Sequence, residues 1–166
     1  MDAKTIALRD SRGHFPRGTI LLYASSGDWI IRLGSGSYWS HCAVALGDGT
    51  RIEAWQGSGV RVQGGDFLQT SDFAARACPI AVEPFISALE RNLGKPYDYL
   101  GWAANPLMNI FGFRMNGGPP DAFHCSSLID FASAGAVAPR KPYRAVTPQD
   151  VWNWADQFTS RTSEGR

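Results

Sequence analysis

The first stretch that decides the fold is 40–56, SHCAVALGDGTRIEAWQ. Two runs of β-prone residues, 41–46 and 51–56, flank Gly47-Asp48-Gly49-Thr50. Glycine and aspartate between two such runs are a strong β-hairpin signal. The stretch therefore predicts two antiparallel strands, with His41 at the start of the first and Glu53 on the second.

Further strands and helices are indicated on both sides of this hairpin. Apolar, β-prone content predicts strands at 19–24, 60–63 and 77–82. Helices are predicted at 25–33, 85–93 and 125–134, and a last one begins after Thr147 as N-cap. We expect one α+β domain over 1–166, an antiparallel sheet or small barrel with packed helices, an N-terminal arm at 1–17 and a frayed tail at 161–166.

Composition argues against several classes of function. The 166 residues carry a formal net charge of +1, which gives no electrostatic basis for binding nucleic acid. The three cysteines, Cys42, Cys78 and Cys125, lack the spacing of a zinc site or of a disulfide framework, so no metal or other cofactor is expected. Residues 1–18 contain no apolar core of signal-peptide length, and no run is long enough to span a membrane. We expect cytoplasmic synthesis, with non-classical export if the protein acts at the cell envelope.

The second deciding stretch is 123–127, FHCSS, which begins a predicted helix at Cys125. A helix start and a nearby imidazole both favour thiolate, so Cys125 and His41 are the candidate nucleophile and base. Each also has a structural interpretation, a small buried hydrophobe for Cys125 and a core histidine for His41. Their occurrence together favours catalysis. His14 and His124 keep the structural interpretation. His124 adjoins Cys125 in sequence, but side chains adjacent at a helix start diverge by about 100°, so it is the poorer base.

A carboxylate that orients the histidine is expected on the second strand of the hairpin. A three-residue loop, 47–49, pairs Ala43 with Glu53 and puts Glu53 on the same face as His41. A two-residue turn puts Glu53 on the opposite face and leaves the orienting role to Gln56. The sequence leaves both registers open.

Aromatic residues complete the predicted site. Tyr97 is the candidate donor to the oxyanion of a tetrahedral intermediate, with Tyr99 as the alternative. Substrate contacts are predicted from an uncharged aromatic stretch, 100–113, and from the loop before His41; they are Trp102, Phe111, Phe113, Tyr38 and Trp39. The stretch 100–113 also suits contact with a membrane surface, or it forms a buried helix or covering loop.

These motifs resemble the circularly permuted branch of the NlpC superfamily. The similarity lies in residues 18–22, 38–49, 52–54, 94–98 and 123–129, and the histidine precedes the cysteine, the reverse of the papain order. The resemblance to this YiiX/YebB-like group, distantly akin to lecithin:retinol acyltransferase, implies a permuted papain-like fold. It also implies Cys125 as nucleophile, His41 as base, Glu53 as third member and Tyr97 as auxiliary residue. Ser126-Ser127 departs from the Ser-Glu usual after the cysteine.

The sequence leaves three functions open. The first is a lipid acyl hydrolase or acyltransferase, favoured by the apolar stretch 100–113. The second is a peptidase or amidase of peptidoglycan stems, whose carboxylates would require basic side chains such as Arg32, Arg51 and Arg114. The third is an inactive binding module. An immunity protein is expected as a partner only if the enzyme is a toxin.

Overall fold

The fold is α+β, with a five-stranded antiparallel sheet on which helices pack. The computed structural model describes residues 8–11, 14–25, 32, 35–64, 72–104 and 121–163. The strands are β1 Ile20–Ala24, β2 His41–Ala45, β3 Thr50–Trp55, β4 Gly59–Gly64 and β5 Asp72–Arg76. Their order in the sheet is β4-β3-β2-β1-β5, so β2 and the hairpin partner β3 lie near its centre.

The helices that bear on the site follow the sheet in the chain. They are α1 Val82–Glu90, α2 Cys125–Ala132, a 3-10 helix at Tyr143–Ala145 and α3 Pro148–Ser163, and residues 99–104 are also helical. The predicted cap of α3 is confirmed, because Thr147 N donates to Asp150 Oδ2 (2.8 Å) and Asp150 N donates to Thr147 Oγ1 (3.2 Å). None of the helices in the described ranges is long and apolar enough to cross a membrane.

Several predicted boundaries need correction. The predicted strand at 77–82 is wrong: β5 ends at Arg76, Pro79 lies outside it, and Val82 already begins α1. Proline has no N–H to donate to a strand partner, whereas 72–76 pairs along β1. Helix α3 extends to Ser163, three residues into the range predicted to be frayed. Most of the predicted helix at 25–33 lies outside the described residues.

The register of the β2–β3 hairpin is that of the three-residue loop. Val44 pairs with Ile52, and Leu46 N donates to the carbonyl of Thr50 (2.9 Å), which leaves 47–49 as the loop. Gly47 and Gly49 have φ of 90° and 86°, in the left-handed region that glycine adopts at little cost. The open choice is therefore decided: Glu53 lies on the face of His41.

The sheet separates two apolar layers. One face packs against the helices in the main core, which includes Ile20, Leu22, Cys42, Val44, Ile52, Phe85, Ile86, Leu128 and Ile129. The other face forms a smaller cluster of Leu21, Tyr23, Ala43, Ala45, Phe73 and Ala75, covered by Phe15 of the N-terminal arm. The core of the described part extends from the sheet to the first turn of α2, which places Cys125 against β2.

Candidate active site

Cys125 is the first residue of α2, and its side chain lies in the main core with 7% of the residue exposed. The first turn is capped by His124: Ser127 N donates to His124 Nδ1 (3.5 Å), and His124 N donates to Ser127 Oγ (3.0 Å). His124 Nε2 donates to the carbonyl of Arg144 (3.1 Å). The structural interpretation of His124 thus fits its contacts, and the unusual Ser127 takes part in the cap.

His41 is the first residue of β2, at the end of the strand. Its Nε2 lies 3.2 Å from Glu53 Oε2, and its ring lies between those of Tyr23 (centroids 4.8 Å apart) and Trp55 (5.1 Å). A carboxylate accepts, so Nε2 carries the proton and Nδ1 is the atom that remains for the hydrogen bond between His41 and Cys125. The structure therefore brings the three predicted residues, Cys125, His41 and Glu53, together in space.

Glu53 is buried, with no side-chain exposure, and it accepts hydrogen bonds from four residues. On Oε2 the donors are Tyr23 Oη (3.3 Å), His41 Nε2 (3.2 Å) and Arg51 Nε (3.1 Å). On Oε1 they are Arg61 Nε (3.1 Å) and Nη2 (2.9 Å). Burial raises the pKa of Glu53, but its contacts with His41, Arg51 and Arg61 outweigh burial and lower the pKa to about 2. Glu53 is therefore a fixed anion.

The charges of Cys125 and His41 depend on each other. A hydrogen bond from Cys42 and the charge of His41 outweigh burial and hold the pKa of Cys125 well below its usual range. Burial lowers the pKa of His41, but Cys125 and Glu53 outweigh it and raise the pKa to about 9. Burial and the neighbouring Cys125 raise the pKa of Cys42, so Cys42 stays a thiol and donates. Each residue therefore favours the charged form of the other, thiolate for Cys125 and imidazolium for His41.

Tyr97 reaches the site through a backbone bridge. Residues Tyr97 and Phe123 form a parallel bridge, in which Phe123 N donates to the carbonyl of Pro96 (3.1 Å) and Asp98 N donates to that of Phe123 (3.1 Å). Burial and the charge of Cys125 raise the pKa of Tyr97, while a hydrogen bond with Gln56 opposes that rise. Tyr97 is thus a protonated phenol near Cys125. Gln56, the alternative partner of His41, interacts with Tyr97, and the residue hydrogen-bonded to His41 is Glu53.

The predicted substrate contacts have different surroundings. Trp39 is a core residue whose ring lies tilted against that of Trp152 (centroids 5.2 Å apart), so its role as a substrate contact stays a prediction. Tyr38 is exposed, but its hydroxyl bonds the Asp72 carboxylate. Trp102 is 37% exposed on the helical segment 99–104. Phe111 and Phe113 lie outside the described residues.

Tyr99 lies beside Tyr97, with ring centroids 5.0 Å apart, and its hydroxyl accepts from Gly57 N (2.6 Å). Tyr97, and not Tyr99, is the residue bridged directly to the segment before Cys125.

The sequence did not indicate the roles of four residues at the site: Tyr23, Arg51 and Arg61 as donors to Glu53, and Cys42 as a donor to Cys125. Arg51 had been expected only as a possible ligand of substrate carboxylates. Two of the four had a signal, because Arg51 shares the face of Glu53 two residues earlier on β3, and Arg61 is the direct cross-strand partner of Glu53. Tyr23 is paired with His41 across β1 and β2, a pairing that the sequence alone does not determine.

No group of histidine, cysteine and acidic residues suited to a metal occurs in the described ranges. Comparison with models of known families and with curated proteins finds no match for the chain.

Proposed function

We propose that the chain is a cysteine hydrolase or acyltransferase that acts through a thioester at Cys125. The observation that carries this proposal is the unbroken line of contacts from Cys125 to His41 to the buried anion Glu53, beginning at a helix N-terminus. A lowered thiol pKa beside an oriented imidazole is the condition for nucleophilic catalysis by cysteine.

We extend the proposal to the fold, as a permuted papain-like domain. The support is that His41 and Glu53 lie on adjacent antiparallel strands, while Cys125 follows them on a helix that packs against β2. In this order the base precedes the nucleophile in the chain.

The geometry supports the following cycle. The thiolate of Cys125 attacks a carbonyl carbon, and the oxyanion is bound by the backbone N–H of Cys125, which has no intrahelical acceptor, and by the phenol of Tyr97. Imidazolium His41 gives its proton to the leaving oxygen or nitrogen, and a thioester remains. Neutral His41 then takes a proton from water, or from an acyl acceptor, as it attacks the thioester.

A lipid acyl group is the substrate class that the surface favours. Beside Tyr97, the residues Tyr99, Leu100 and Trp102 are 53%, 57% and 37% exposed, and Trp55, whose ring contacts His41, is 37% exposed. An exposed apolar surface that adjoins Tyr97 and His41 suits an alkyl chain better than a charged peptide stem.

The peptide alternative has less support. Of the basic side chains that it requires, Arg51 is buried on Glu53, Arg32 lies over the ring of Tyr38 and Arg114 is outside the described residues. A peptidoglycan activity would therefore have to bind its carboxylates without the first two of these arginines.

The test compares the wild-type chain with Cys125→Ala, and with Cys78→Ala as a matched cysteine control outside the site. Each is incubated with bacterial envelopes, and the released products are identified by mass spectrometry. We expect free fatty acid or lysolipid from the wild type and from Cys78→Ala, and none from Cys125→Ala or His41→Ala.

Release of muropeptides with new amine ends that depends on Cys125 would show that the substrate is a peptide and not a lipid. Activity retained by Cys125→Ala would overturn the proposed nucleophile. No product from the wild type would favour the inactive binding module.

A further inference from the structure

Glu53 receives more donors than a carboxylate ordinarily accommodates. A carboxylate offers about four lone-pair positions, and five donor atoms lie within hydrogen-bond distance of its two oxygens. The proton that Glu53 accepts from His41 Nε2 stays on the imidazole, because the pKa of Glu53 is lowered to about 2 and that of His41 is raised to about 9.

The charge at Glu53 is also more than neutralised. The single negative charge faces two guanidinium groups, of Arg51 at 3.1 Å and of Arg61 at 2.9 Å. Arg51 is nearly buried, with 6% of its side chain exposed, whereas Arg61 on the edge strand β4 is 29% exposed. Each guanidinium is a positive charge beside the carboxylate that accepts the Nε2 proton of His41. Each therefore weakens the attraction between Glu53 and that proton.

We propose that Arg61, together with Arg51, is a positioning residue of this site that acts through Glu53 and limits how strongly Glu53 retains the imidazole proton of His41. This inference rests on the proposed function. A histidine that gives up its proton readily can serve as acid to the leaving group and then as base to water. A lone carboxylate in the same burial would hold the imidazolium more tightly.

Other groups that face His41 set the same equilibrium and stay unchanged in the test. Tyr23, Trp55 and Cys125 face His41 directly, from β1, β3 and the start of α2. Cys42, His124 and Tyr97 interact with Cys125 and act on His41 only through it.

The experiment measures the rate at which iodoacetamide alkylates Cys125 as a function of pH. Mass spectrometry of the peptide that contains Cys125 separates it from Cys42 and Cys78. The acid limb of the profile reports formation of the thiolate, and the alkaline step reports deprotonation of His41. Neither limb requires the natural substrate, and a purely structural role of Arg61 would move neither.

The variants are Arg61→Gln, Arg61→Lys and, as a matched control, Arg17→Gln. Arg17 is a comparably exposed arginine (36%) that binds Glu83 and Glu90 away from the site. We expect Arg61→Gln to move the alkaline step upward by about half a pH unit, since the partly exposed charge is screened. Arg61→Lys keeps the charge and should keep the wild-type step, as should Arg17→Gln.

An unchanged or lowered step in Arg61→Gln overturns the inference. If Arg61→Gln does not fold, Arg61→Lys still decides, because an upward shift in that variant contradicts a role that depends on charge. A wild-type Cys125 that reacts only as an ordinary thiol would instead overturn the proposed function.

Discussion

Glu53 combines complete burial with a retained negative charge. Burial of an isolated carboxylate in an apolar core costs several kcal/mol, and the group normally becomes protonated instead. Here Arg51, Arg61, Tyr23 and His41 supply the donors that replace water. The native state therefore depends on the ionised form of a residue in the candidate site.

This dependence gives a prediction for acid stability. The pKa of Glu53 is lowered from 4.5 to about 2 on folding, so its contribution is complete above 4.5 and is lost as the pH falls toward 2. By about pH 3 the loss is about 2 kcal/mol. We expect the free energy of unfolding of the wild type to fall more steeply between about pH 5 and about pH 3 than that of Glu53→Gln, by about that amount.

Urea unfolding followed by tryptophan fluorescence measures both curves. The other carboxylates are common to the two chains and cancel in the comparison. Parallel curves would mean that Glu53 is already protonated in the native state.

At the scale of single residues, the sequence predicted which residues form the site but not all of the residues that surround them. His41, Glu53 and Cys125 were recognisable because each lies beside a strong local signal, a hairpin or a helix start. Tyr23 was not, because its place beside His41 follows from the pairing of β1 with β2, which are separated by residues 25–40.

At the scale of elements, the segment that carries Tyr97 is held against the start of β4, just after the turn that joins it to β3. Val60 N donates to the carbonyl of Lys95 (2.9 Å), and Gly94 N donates to that of Val60 (2.9 Å). A Cβ atom at Gly59 would overlap the carbonyl oxygen of Lys95. The close approach of these two backbones therefore requires glycine at 59.

The same turn offers a matched comparison between Gly59→Ala and Gly57→Ala. Both positions have positive φ, 69° and 82°, so both variants lose about 1–2 kcal/mol from strain in the left-handed region. Only Gly59→Ala also forces the 94–97 segment away, because no atom lies near a Cβ at Gly57. We expect Gly59→Ala to lose more stability in urea unfolding and to lower turnover, while Gly57→Ala keeps turnover near the wild-type value.

Equal effects of the two substitutions on stability and on turnover would show that the contact with Lys95 does not position Tyr97.

The hairpin and α2 were predictable because their turn residues and apolar periodicity are local. The strand at 72–76 was misplaced because Ala74 and Ala75 give a weak β signal, and its pairing with β1 is a tertiary effect.

At the scale of the whole molecule, the buried ion pair of Asp98 and Arg144 joins the Tyr97 segment to the region that precedes α3. Arg144 Nε donates to Asp98 Oδ2 (2.7 Å), with 7% and 0% of the two side chains exposed. The carbonyl of Arg144 in turn accepts from the capping His124. The two halves of the candidate site, Tyr97 and Cys125, are thereby linked through one buried pair.

We expect Asp98→Asn to cost about 3 kcal/mol, because it leaves the guanidinium of Arg144 buried without its counterion. Asp121→Asn is the matched control: it breaks the exposed pair with Lys95 (2.7 Å; side chains 54% and 38% exposed) and should cost less than about 1 kcal/mol. Urea unfolding measures both. Equal small losses would mean that Arg144 finds another partner or water when Asp98 is neutralised.

A long-range pair of this kind has no local sequence signal. Asp98 and Arg144 are far apart in the chain, and each alone resembles an ordinary charged residue. The sequence thus predicted an α+β fold with an antiparallel sheet, and it did not predict the buried charges that fasten its parts together.

The bridge between Tyr97 and Phe123 has an evolutionary consequence. The chain departs from one side of this bridge and returns on the other, so the intervening sequence, which includes Phe111 and Phe113, is framed by two anchored ends. The contacts described for the thiol, the imidazole and the carboxylate, and the Asp98–Arg144 pair, involve none of residues 105–120, so changes within 105–120 replace none of these residues. Descendants of such a chain could acquire new substrates by rewriting this one interval while they inherit the same chemistry.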